Sequence, residues 1–244
     1  MNSNDNKNND NDDNKVVPFK TPRKKQAQQK QVETSKQATE PLINLPPFTK
    51  FLLMALIAAH LITNLALSDA QLEWVILNFG FIPGQFTGSI PFEPLALLTP
   101  FASIILHSGW LHIGMNAIML LAFGSGIERW MGGKKMIAFF IACGLFGIAL
   151  HFVLNYNSIN PVIGASGGIS GLFAAALVML NRNNIGMTGR FGLWPIIILW
   201  IAISVIFGFI DTPQMGIGKG EIAWAAHVGG FLGGFAVLKM MRIL

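Results

Sequence analysis

Charge is what this 244-residue sequence has least of once its first fifth is set aside. Nine of the 17 Lys and Arg and six of the 12 Asp and Glu fall in positions 1–50, so charged side chains make up only about 7% of the other 194 residues. Soluble globular domains carry roughly 25%, and the scarcity excludes an ordinary water-soluble domain. A hydrophobic share of 52% and a mean hydropathy of +0.52, reached despite the polar start, assign the remainder to lipid. The single cysteine, Cys143, excludes an intramolecular disulfide, and its apolar surroundings read as packing. Outside the first 50 residues there is no basic cluster interleaved with aromatics, so the net charge of +5 does not point to nucleic acid. None of the five histidines stands in an H-E-x-x-H pair, and no metal or other cofactor is expected. No apolar signal-peptide core precedes the first long apolar run near Phe51, which is therefore expected to be its own insertion signal.

What remains is an alternation of polar and apolar blocks. Residues 1–48, rich in Asn, Asp, Gln and Lys, bury too little apolar surface to offset ordering entropy and are expected to form a disordered cytoplasmic tail. Residues 49–244 form a separate membrane domain, with apolar stretches over about 51–67, 110–127, 136–154, 163–180, 191–210 and 222–241. The intervening segment 68–109 is apolar too, but Gly80, Pro83, Gly84, Gly88, Pro91, Pro94 and Pro100 break it into short pieces suited to the interface. Sixteen Lys and Arg fall in the tail, the loops after the second and fourth stretches and the C-terminus, whereas the alternate loops hold only Lys219. By the positive-inside rule both termini are cytoplasmic and the long apolar loop faces outward.

Polar groups in lipid are costly and mark function. In Gly164-Ala165-Ser166-Gly167-Gly168-Ile169-Ser170-Gly171, a serine flanked by small residues opens the fourth stretch, like the turns that expose a nucleophile. From Ser166 to Leu180 an α-helix spans about 22 Å of a roughly 30 Å hydrocarbon core, so its N-terminus lies below the outer surface with free N–H groups. Such donors favour a developing oxyanion. His227, early in the sixth stretch, sits at a matching depth and can serve as the base. Gly230 and Gly234 follow it on one helical face, while Gly167 and Gly171 form a small-residue face on the fourth stretch, so the two helices can approach closely. In His107-Ser108-Gly109-Trp110-Leu111-His112-Ile113-Gly114-Met115-Asn116, His112 and Asn116 share a face as possible oxyanion donors, and His107 is suited to tying down the outer loop. Small residues and histidines also serve as plain interhelical glue, and each motif alone is weak.

Together, H-x-x-x-N, G-A-S-G and H-x-x-G-x-x-x-G in this order resemble the rhomboid family of intramembrane serine proteases over residues 49–242, and Glu128-Arg129-Trp130-Met131-Gly132 is similar to the family's E-x-x-x-G element, expected in a cytoplasmic loop. The resemblance implies an all-α membrane protein, a six-transmembrane-helix rhomboid-like bundle with a long interfacial first outer loop. It implies a Ser166–His227 dyad, with His112, Asn116 and the Ser166 N–H holding the oxyanion and His107, Gly164, Gly167, Gly171, Gly230 and Gly234 as structural neighbours. It also implies single-pass transmembrane proteins as substrates. The compact core suggests a bacterial plasma membrane; the oligomeric state is not legible. A non-proteolytic relative that binds transmembrane clients is the alternative, although such proteins have typically lost the serine or the histidine. Two features depart from the family: Ser170 stands where some members carry an aromatic that stacks on the histidine, and the first outer loop lacks a Trp-Arg pair between Phe92 and His107. Leu97, Leu98, Pro100 and Phe101 are expected to anchor that loop in lipid instead. The acidic residue nearest His227 in sequence, Glu221, lies six residues away, about 9 Å along a helix, so no third, orienting carboxylate is expected.

Overall fold

The structure, a computed structural model, describes residues 44–182, 192, 194–209 (side chains as far as 202) and 224–243. The expected disordered tail lies almost wholly outside the described residues, as do the loop bearing Arg190 and the loop with Asp211, Lys219 and Glu221. Among the described residues, all regular structure is helical apart from one isolated bridge between Phe81 and Val162. Seven helices longer than two turns are described: α1 (Pro47–Leu61), α2 (Asp69–Phe79), α3 (Trp110–Met131), α4 (Gly133–Leu154), α5 (Ser166–Arg182), α6 (Trp194–Phe209) and α7 (Trp224–Met240). α1 continues through a π-helical turn, Ile62–Ala66. Among the described residues, three helices are long and apolar enough to cross a membrane by themselves: Pro47–Ala66, Trp110–Met131 and Gly133–Leu154.

α1 starts about one turn earlier than its apolar run because of a distant residue. The Glu128 carboxylate, near the end of α3, accepts the Phe48 N–H at 3.0 Å, the Thr49 N–H at 2.6 Å and the Thr49 hydroxyl at 2.7 Å. Pro47 supplies the fixed φ of a first turn, and the carboxylate satisfies two free N–H groups at the positive end of the helix. Glu128 is therefore not a loop residue: α3 continues to Met131, and Glu128 is buried against α1.

The proline- and glycine-broken segment contains α2 and three single turns. Ser68 and Gln71 form a reciprocal capping box at the start of α2. Leu97, Leu98 and Phe101 project outward, each more than half exposed, while the neighbouring Ala96 and Thr99 are buried.

α5 is the central element, with every residue from Gly167 to Leu177 buried. Phe173 of α5 packs on Phe123 of α3 and Trp200 of α6, at ring-centroid distances of 5.1 and 4.6 Å. Gly168 and Gly171 sit against Phe140 and Cys143 of α4. Gly147, Gly229 and Gly233 let α4 and α7 pack backbone to backbone around Ala226 and Phe146. α5 and α7 run parallel: Gly167 meets Gly230 near their starts, and past their ends the Arg182 guanidinium donates to the Ile243 carbonyl. α3 runs the same way, with His112 beside Gly164 at one end and Gly126 facing Met179 at the other. The starts of α3, α5 and α7 therefore gather at one end of the bundle.

Candidate active site

At that end, Ser166 opens α5. The first helical bond into this turn is from the Ile169 N–H to the Ala165 carbonyl, at 3.1 Å, so the N–H groups of Ser166, Gly167 and Gly168 have no intrahelical acceptor. Gly164 sets the approach. Its φ of +133° lies where side chains are strained, and a Cβ there would stand 2.8 Å from the His112 ring. Its N–H donates to the Ser103 carbonyl at 2.8 Å, and Val162, two residues earlier, exchanges both main-chain hydrogen bonds with Phe81. The strand-like lead into Ser166 is thus laced to the broken outer segment on both sides.

Close packing brings the chain neighbours of Ser166 and His227 into contact. A side chain at Gly230 would overlap the Gly167 carbonyl, and the Ala226 carbonyl lies 3.4 Å from where a Gly167 Cβ would be. Ser166 and His227 are the chain neighbours of this contacting pair, Gly167 and Ala226. One turn further, Gly171 and Gly234 repeat the approach, with the Gly171 carbonyl 3.0 Å from a Gly234 Cβ. No hydroxyl–imidazole hydrogen bond is needed to hold the two helices; the glycine faces do that.

His112 Nε2 lies 2.8 Å, and Ser166 Oγ 3.7 Å, from the same point beside Gly164, so imidazole and hydroxyl line one small space. Ser108 Oγ is 3.0 Å from His112 Nδ1. A hydroxyl that donates to Nδ1 leaves the ring proton on Nε2, the nitrogen that faces the serine; one that accepts from Nδ1 leaves Nε2 bare. Asn116, buried, donates one amide hydrogen to the His112 carbonyl at 3.0 Å and keeps the other. Just ahead of α3, His107 Nδ1 lies 3.1 Å from the Ile105 carbonyl, and its ring stands edge-on to His112 at 5.1 Å. Burial, followed by the neighbouring His112, pushes the His107 imidazole down to about 3, so it is neutral at physiological pH.

Ser170 is fully buried, and its hydroxyl donates to the Ser166 carbonyl at 2.8 Å. It is therefore committed to its own helix rather than to the histidine. The positions that sequence reasoning missed are Ser108 and Ser103. Ser108 was open to reading, being four residues before His112 at a helix start; Ser103 acts through its carbonyl and carries no sequence signal. No group of three or more His, Cys, Asp or Glu able to hold a metal occurs among the described residues.

The Rhomboid domain family pattern matches residues 94–243, over half of the chain, and includes Ser103, His107, His112, Asn116, Ser166 and His227. The chain belongs to the rhomboid family. Rhomboid protease GluP of Bacillus subtilis is 33% identical over 139 residues, covering 57% of this chain but 24% of GluP. YdcA of the same organism is 30% identical over 164 residues, 66% of this chain and 74% of that protein. Rhomboid protease AarA of Providencia stuartii is 29% identical over 164 residues, 58% of this chain and 54% of AarA. This rhomboid thus spans about a quarter of GluP, about half of AarA and about three quarters of YdcA. Family and apolar helices together make it a multi-pass membrane protein of all-α fold.

Proposed function

We propose that this rhomboid is an intramembrane serine endopeptidase that cleaves transmembrane segments of single-pass membrane proteins through a Ser166–His227 dyad. The observation that carries the reading is the meeting of three helix starts. Ser166 and His227 are the chain neighbours of Gly167 and Ala226, which face each other across the α5–α7 interface, and His112 Nε2 shares a small space with the Ser166 hydroxyl.

In this reading His227 takes the Ser166 hydroxyl proton as Oγ attacks the scissile carbonyl, and returns it to the leaving amine. The oxyanion is received by the Ser166 N–H at the positive end of α5, by His112 Nε2–H and by the second Asn116 amide hydrogen. Ser108 holds His112 in the donating tautomer. His227 is positioned by helix packing rather than by a carboxylate. A helical substrate keeps its carbonyls in its own hydrogen bonds, so it must unwind locally before attack, which favours substrates with helix-destabilising residues near the cleaved bond.

α5, α6 and α7, with 17, 16 and 17 residues, complete a six-span bundle with α1, α3 and α4, thinned where the site opens. Both termini are cytoplasmic, residues 1–48 form a tail outside the protease domain, and the membrane is a bacterial plasma membrane; the basic-residue asymmetry and the bacterial relatives support this placement. Leu97, Leu98 and Phe101 seat the outer segment in lipid.

The test is cleavage of a single-span reporter protein by purified enzyme in liposomes. Ser166→Ala and His227→Ala should each lower kcat at least about a thousandfold while keeping the wild-type melting temperature within a few degrees. Cleavage surviving either substitution would remove the dyad. A wild-type protein that binds reporters without cutting any would favour the client-binding alternative.

A further inference from the structure

Two buried imidazoles outside the proposed dyad and oxyanion donors stand next to each other: His60 on α1 and His107 ahead of α3, each only 2% exposed. Their ring centroids are 6.4 Å apart at 89°, and Trp110 stands edge-on to His60 at 4.7 Å. The Nε2 atom of each ring has no hydrogen-bond partner among the described residues.

The other ring nitrogens fix both tautomers. His60 Nδ1 is 3.1 Å from Asn64 Nδ2, which is identified as the amide nitrogen because it also donates to the His60 carbonyl at 3.0 Å. An amide nitrogen only donates, so His60 Nδ1 accepts and His60 Nε2 carries the proton. His107 Nδ1 faces the Ile105 carbonyl, which only accepts, so Nδ1 carries the proton and His107 Nε2 is a bare acceptor. One unpaired donor and one unpaired acceptor therefore lie on neighbouring buried rings whose centroids are 6.4 Å apart. A water molecule, which donates and accepts at about 2.8–3.0 Å on either side, satisfies both.

We propose that a buried water bridges His60 Nε2–H to His107 Nε2, so that His60 is a positioning residue that couples α1 to the His107–His112 pair. The role given to His112 rests on the protease reading above; the bridge itself does not. Through it the first helix, otherwise remote from the serine, steadies the ring against which His112 packs.

The test uses the full chain in liposomes with 15N-labelled histidine. Nitrogen chemical shifts should show His60 protonated at Nε2 and His107 at Nδ1, with magnetisation transfer from water to both Nε2 sites. His60→Phe keeps a ring against Trp110 but removes the donor. It should shift the His107 and His112 nitrogen signals and lower kcat about tenfold, with KM within about twofold. His60→Gln, which restores an N–H, should recover much of kcat. The proposal is overturned if His60 is protonated at Nδ1, if neither Nε2 site contacts water, or if His60→Phe leaves the His107 and His112 signals in place, even where its melting temperature falls. If the wild-type protein cleaves no reporter, the protease reading fails while the nitrogen spectra still decide the bridge.

Discussion

The two halves of the candidate site are built by different physics. Between α5 and α7, Ser166 and His227 are set by glycine faces in backbone contact, with no side chain between Gly167 and Gly230. On the α3 side, His112 and Asn116 are set by hydrogen bonds: Ser108 to the ring and Asn116 to the His112 carbonyl. Steric contact is all-or-none, because a methyl group either fits or displaces a helix. Hydrogen-bonded positioning degrades by steps, since losing one bond leaves the ring in place with more freedom. Substitutions on the first half should therefore abolish activity, and those on the second should tune it.

The sharpest way to break this contrast is Gly230→Ala. The added carbon would overlap the Gly167 carbonyl, and we expect at least a hundredfold loss of reporter cleavage with about 1–3 kcal/mol of destabilisation in a denaturation assay. Near-normal cleavage would mean that α5 and α7 can separate without losing the site. Glu128→Gln comes next. It keeps the shape but loses the anionic cap on α1, and should cost about 1–2 kcal/mol of stability with a smaller effect on kcat, since the cap lies at the opposite end of α1 from His60.

His107 provides a pH test. Its folded imidazole, held down to about 3, binds a proton later than the unfolded side chain near 6.5. The unfolded chain therefore carries more protons between these values. Stability should fall as pH drops from about 6.5 toward 3, by roughly 1 kcal/mol per unit from this group. His107→Gln should flatten that slope in melting curves collected across the range. Ser108→Ala should lower kcat about three- to tenfold with KM nearly unchanged, because only the tautomer preference of His112 is lost. Smallest of all, Gly126→Ala on α3 meets only the Met179 methyl at 3.7 Å, and should leave cleavage intact while raising the melting temperature by a degree or two.

Much of this protein could be read along the chain because lipid constrains local sequence strongly. Apolar runs and loop charge follow from the solvent that each residue meets, and a serine between glycines at a helix start is visible without a fold. The glycine spacing at 167/171 and 230/234 announced two faces that could meet. The capping reach of Glu128 was not legible, because a carboxylate 79 positions from Thr49 has no local signature. Nor was the fate of Ser170, whose hydroxyl could equally have turned toward the site; only the helix geometry directs it to the Ser166 carbonyl. The same holds for the lacing of Phe81 to Val162, a main-chain pairing that is indifferent to side-chain type.

The sequence by itself determined the helical class, the membrane as solvent, and which polar side chains sit where lipid makes them costly. These follow from the transfer free energy of each residue and the 3.6-residue helical period, which are properties of the chain segment alone. The tertiary structure decided which nitrogen of His112 faces Ser166, which carboxylate caps α1, and which buried imidazoles stand side by side. Those outcomes depend on partners distant in sequence, and a hydrogen bond or a close contact exists only when packing has brought both of its atoms to one place.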